Sequence, residues 1–71
     1  MAFTKEEITE LFTYHSPKLD QASRYQTIRD AAKQFALCLV ENTKPSADQT
    51  AAIRLLRESV MTANASIALE R

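Results

Sequence analysis

Asn42-Thr43-Lys44-Pro45-Ser46 is the break on which the fold turns. Asparagine tolerates the left-handed cap conformation, and Pro45 has no N–H with which to continue a helical ladder, so a helix arriving from the N-terminal side ends here. Directly beyond it, Ser46-Ala47-Asp48-Gln49 has the hydroxyl-x-x-Gln spacing of a capping box, which opens a new helix. A connection this short makes the two helices antiparallel neighbours, and the core unit is a helical hairpin.

Upstream of the break, Tyr25, Ile28, Ala32, Phe35, Ala36 and Leu39 recur three or four residues apart. That stripe predicts a helix over 21–41, about 30 Å long, with Asp20 or Ser23 as its cap. Downstream, Ile53, Leu56, Val60, Ala63 and Ile67 alternate spacings of three and four in a heptad-like seam, which carries the last helix to about residue 69. At the other end Thr4-Lys5-Glu6-Glu7 is a further capping box, followed by Ile8 and Leu11 at helical spacing, and predicts a short helix from 4 to 11 or 12. No segment alternates in the manner of a strand, and no internal repeat is present. The fold class is therefore all-α, a short N-terminal helix followed by an antiparallel helical hairpin, forming one domain over 1–71.

A chain of 71 residues buries little surface for its length and usually needs a disulfide, a metal or a partner chain. Cys38 is the only cysteine and His15 the only histidine, so neither an intrachain disulfide nor a structural zinc site can form. Self-association remains. Leu55, Thr62 and Leu69 lie roughly opposite the seam of the last helix, with Ala51 and Ala65 beside them, while Leu37, Cys38 and Val40 lie off the stripe of the preceding one. Helices apolar on more than one face are covered on more than one face, which predicts a homo-oligomer of hairpins. The small residues from Thr62 to Ala68 suit close approach between copies.

Several functions are disfavoured by composition. Nine basic and nine acidic side chains give zero net charge, without the basic excess expected of a DNA- or RNA-polymer binder. No apolar run nears the ~20 residues that span a bilayer, and the acidic start is unlike a signal peptide, so the expected setting is a reducing cytoplasm. Glycine is absent, which rules out glycine-rich phosphate loops. Enzymatic signals are weak: Cys38 between Leu37 and Leu39 reads as a small buried hydrophobe, and His15 has no nearby carboxylate at acid–base or metal spacing. No catalytic residue, metal site or cofactor is assigned.

Recognition chemistry concentrates in the strap Phe12-Thr13-Tyr14-His15-Ser16-Pro17-Lys18. Pro17 fixes its own φ and pushes Ser16 towards extended geometry, giving a defined segment. Tyr14 has a face on which a nucleobase can stack, and Lys18, Arg24, Arg29 and Lys33 suit phosphates. Arg29 and Lys33, four apart, share a helix face. The plainer alternative is that these are solvated or salt-bridged charges and Tyr14 a ring at the core's edge. Asn64 lies in line with Arg57 and Arg71 at spacings of seven, either fixing the register of a seam or meeting a ligand.

Taken together, Phe12-Thr13-Tyr14-His15-x-Pro17, Arg24-Tyr25-x-x-Ile28-Arg29, Ala32-Lys33-x-Phe35-Ala36 and Leu56-Arg57-Glu58-x-Val60-Met61-x-Ala63-Asn64-Ala65-Ser66-Ile67-Ala68 resemble the small phage anti-CBASS sponge proteins, over about 11–68. The resemblance implies a non-enzymatic protein in the cytoplasm of the infected bacterial host, sequestering cyclic oligonucleotide alarm signals without degrading them. It implies a hexamer of hairpins with cyclic dinucleotide pockets between two chains, where Tyr14 stacks on a base and Arg29 binds phosphate, with His15, Lys18 and Lys33 as accompanying residues. It also implies separate sites for cyclic trinucleotides, for which Arg57 and Asn64 are the candidates. A similar helical core occurs in phage sponges against Thoeris defence, which bind cyclic ADP-ribose isomers. The alternative from another class is a structural or protein-interaction hairpin that binds no small molecule.

Overall fold

The computed structural model describes residues 2–70. Three helices follow in order: α1 over Lys5–Leu11, α2 over Gln21–Asn42 and α3 over Ala47–Ala68. Among the described residues there is no strand, and no helix is long and apolar enough to cross a membrane.

Both arms of the expected capping box open α1. The Glu7 N–H donates to Thr4 Oγ1 and the Thr4 N–H to Glu7 Oε1, each at 3.1 Å. At the far end the Thr13 hydroxyl donates to the Thr9 carbonyl, occupying an acceptor that the end of the helix leaves without an amide partner.

The start of α2 departs from expectation. Asp20 stands at the N-cap but makes no side-chain cap bond, because its backbone, with φ −85° and ψ 0°, is already helical. A capping side chain ordinarily reaches the first amides from an extended backbone. Ser23 does not cap either; its hydroxyl donates back to the Asp20 carbonyl. Gln21 takes over instead. It is buried, at 5% exposure, with its side chain spanning from the Lys18 N–H to the Ile67 carbonyl.

The hairpin turn also solves its ends differently from the left-handed cap expected at Asn42. Asn42 stays helical and Thr43 is extended at φ −134°; Leu19, at φ 39°, is the only described residue with positive φ. The last carbonyls of α2 are satisfied by side chains, Asn42 Nδ2 donating to the Cys38 carbonyl at 2.7 Å and the Thr43 hydroxyl to that of Leu39 at 2.7 Å. Ser46 does cap α3, accepting from the Gln49 N–H. The return arm of that box is absent, since Gln49 Nε2 turns to the Thr43 carbonyl and hydroxyl, tying the two sides of the turn together.

That α2 and α3 run antiparallel is fixed at their far ends. Gln21, at the start of α2, bonds Ile67 near the end of α3, and Arg24 makes a two-pronged bond to Glu70 at 2.7 and 2.5 Å. The guanidinium holds the Glu70 carboxyl below its ordinary range. Arg24, expected among the phosphate ligands, is thus engaged by a carboxylate, with Asp20 3.8 Å away as a second acid.

The interior is thin. Ile67 is the one apolar side chain among the described residues with under a tenth of its surface exposed. The shortest dimension of the molecule, 16 Å, is little more than one helix diameter of about 10–12 Å, so a side chain on the seam is covered from one side only. Phe35, placed by its spacing on the inward stripe, is for this reason 54% exposed. Leu37, Val40 and Leu55 are also exposed, as the excess of apolar faces predicted, whereas Leu69 of that set is half-buried; Met61, outside it, is exposed too. Cys38, read as buried, is exposed as well.

Candidate functional site

The strap is held at both ends. On its N-terminal side the His15 ring Nε2 lies 2.9 Å from the Glu10 carbonyl oxygen and 3.9 Å from its carboxylate. The chain therefore folds back at the end of α1 and gives His15 the acidic neighbour that linear spacing did not suggest. On its C-terminal side Gln21 accepts from the Lys18 N–H at 2.9 Å, and the Gln21 N–H donates to the Lys18 carbonyl at 2.7 Å. Because the Gln21 amide also donates to the Ile67 carbonyl at 2.8 Å, the strap is tied directly to α3.

Between these ties Tyr14 stands out from the surface, 81% exposed. An aromatic ring so placed contributes little to the core and keeps its face available for stacking. Beside it opens a cavity of about 400 Å³ lined by Tyr14, His15 and Pro17 of the strap, Tyr25 of α2, and Asn64, Ala65 and Ala68 of α3. The small side chains of α3 leave the room that the strap residues border. Asn64 Oδ1 is closed off from solvent and has no hydrogen-bond partner.

A second cavity, of about 320 Å³, lies further along the hairpin. Arg29 and Lys33 of α2 and Arg57 of α3 line it over an apolar floor that includes Ala36, Ile53 and Val60. Among the described residues none of these three cations makes an ion pair. Arg29 Nη1 donates to Gln26 Oε1 at 3.1 Å, which orients the head group without neutralising it. Cations of this kind over an apolar floor suit a phosphate-bearing ligand.

The candidate residues thus fall into two groups. Tyr14, His15 and Asn64 share the first cavity, whereas Arg29, Lys33 and Arg57 share the second. Arg57 and Asn64, in line by their spacing of seven, are about 10 Å apart along the axis of α3 and line different cavities. Lys18 lines neither, and is exposed at the end of the strap. Arg71 lies outside the described residues. Tyr25 and Gln21 were not singled out from sequence: Tyr25 carried the periodic signal of a stripe residue, and nothing local to Gln21 marks it as buried.

Gln21 is therefore the residue whose loss should loosen the strap without touching its recognition chemistry. Gln21→Met keeps the length of the side chain and removes both of its hydrogen bonds. It is expected to cost about 1–3 kcal/mol of stability, read by urea unfolding, and to speed hydrogen exchange at the Lys18 amide. Unchanged exchange there would show that the tie does not order the strap.

Searches among curated proteins and among solved structures give no match. The family model described as Acb2/Tad1, hairpin domain, matches residues 4–68, a span that takes in α1, the strap and both helices of the hairpin. The chain accordingly belongs to the Acb2/Tad1 hairpin-domain family, whose members are cyclic nucleotide sponges.

Proposed function

We propose that this chain sequesters cyclic dinucleotides, unaltered, in pockets completed between copies of itself, and so blunts CBASS defence in the cytoplasm of the infected bacterial host. The observation that carries the reading is the separation of stacking and charge. Tyr14 and the Arg29, Lys33 and Arg57 group border different cavities of one chain. A ligand with bases and phosphates on one small ring needs both kinds of group at once, and a second copy packed against the first supplies the missing half. A cyclic dinucleotide is itself close to twofold symmetric, so a pocket on a dyad meets each half with the same residues. The exposed Phe35, Val40, Leu55 and Met61 give such an assembly its apolar contacts. Six copies, built from dimers and trimers, are the stoichiometry this reading carries, with cyclic trinucleotides as ligands of a second site.

Calorimetry of the whole chain against cyclic di- and trinucleotides and cyclic ADP-ribose isomers tests this, with recovery of the ligand afterwards. The expected result is tight binding of a cyclic dinucleotide, recovered intact, by an oligomer in light scattering whose unfolding temperature rises with protein concentration. Cyclic ADP-ribose as the only ligand would move the protein to the other branch of sponges. An 8.0 kDa monomer with no ligand would leave a structural hairpin.

A further inference from the structure

Among the described residues Gln21 is the one polar residue that is buried, at 5% exposure. Both partners of its side chain are backbone groups with a single role each. The Lys18 N–H only donates, at 2.9 Å, and the Ile67 carbonyl only accepts, at 2.8 Å. The amide therefore has one orientation, Oε1 towards the strap and Nε2 towards α3.

These anchor points flank the cavity beside Tyr14. Lys18 follows Pro17 and Ile67 precedes Ala68, and Pro17 and Ala68 line that cavity from the strap and from α3. One side chain thus spans the two walls and sets how far apart they stand. Upstream, His15 is held at the Glu10 carbonyl, and Pro17 allows little backbone freedom between the two ties. The junction below runs against local preference, since the fully exposed Leu19 has φ 39°, a left-handed conformation disfavoured for a residue with a Cβ. We infer that Gln21 is a positioning residue for the ligand: by tying the strap to α3 it holds Tyr14 in the stacking position before a ligand arrives. The inference rests on the reading of Tyr14 as a stacking ring and adds what keeps that ring in place. Ordering the strap at the moment of binding would cost affinity, and a chain that presents the binding arrangement only part of the time binds more weakly in proportion.

Calorimetry with cyclic di-AMP and cyclic di-GMP tests this in the unaltered protein, Gln21→Met, Tyr14→Ala and the double variant. Gln21→Met is expected to weaken binding roughly tenfold, with its salt dependence unchanged because no charge is lost. In the Tyr14→Ala background the same substitution should cost little, since no ring is left to position. Ile67→Val, which trims the same end of the core but keeps the carbonyl, should bind as the unaltered protein does. Hydrogen exchange gives a reading that needs no variant: the Lys18 amide should be protected before any ligand is added. Wild-type affinity in Gln21→Met would overturn the inference, as would an equal loss in both backgrounds, an equal loss in Ile67→Val, or protection at Lys18 that arises only with ligand. If neither ligand binds the unaltered protein, or Tyr14→Ala binds as tightly as it does, the stacking reading itself fails and the inference falls with it.

Discussion

Replacing Tyr14 by alanine is expected to weaken cyclic dinucleotide binding by roughly a hundredfold or more while leaving the protein folded and assembled. Stacking of one base on one aromatic ring is worth about 1–3 kcal/mol. A pocket on a dyad uses the ring twice, and a hundredfold corresponds to about 2.8 kcal/mol, well inside the doubled range. The folded chain loses little, because the ring is 81% exposed and its removal opens no cavity in the interior; surface substitutions of this kind stay within about 0.5 kcal/mol. Tyr14→Phe keeps the π-face and should retain most of the binding. Calorimetry paired with thermal unfolding reads both quantities. Wild-type affinity in Tyr14→Ala would place the stacking surface elsewhere, whereas a matching fall in unfolding temperature would make Tyr14 a structural residue.

What the sequence disclosed about the fold was carried by local signals. Thr4 and Glu7 form their box because both partners lie within one turn, and the stripe and the seam give α2 and α3 their lengths because the period of an α-helix is written directly in the spacing. The places where it misled involve competition between local partners. Asn42 is a fair candidate for a left-handed cap, but its amide finds the Cys38 carbonyl and the Thr43 hydroxyl finds that of Leu39, so no such turn is needed. Gln49 likewise leaves its own cap for Thr43.

The site was legible residue by residue and not as a grouping. Tyr14 stood out as an aromatic in a stiffened polar strap, and Arg29 with Lys33 as cations on one face. Which of them share a cavity depends on contacts across 46 residues of chain, such as Gln21 to Ile67 and Arg24 to Glu70, and spacing is blind to these. The same long-range pair removes Arg24 from the phosphate candidates. Periodicity also treats every stripe position as interior, although a molecule 16 Å thin has no second layer to cover Phe35.

Arg29→Ala is the complementary test, because it separates charge from stacking. A hydrogen bond to a charged group is worth about 1.5–3 kcal/mol, so losing one such contact to phosphate weakens binding by roughly ten- to a hundredfold, and more where a dyad doubles it. Arg29→Lys should recover part of the loss, since a point charge still meets the phosphate but cannot reproduce the planar fork. Lys33 and Arg57 border the same cavity, so a phosphate lodged there should respond to Arg57→Ala as well, with a smaller loss if Arg29 makes the closer contact. Salt tells the two kinds of interaction apart. Raising ionic strength screens exposed charges, so wild type and Tyr14→Ala should lose affinity with salt in parallel, while Arg29→Ala should show a shallower dependence. A salt dependence unchanged by Arg29→Ala, at unchanged affinity, would take phosphate away from this cavity and leave its three cations as solvated surface.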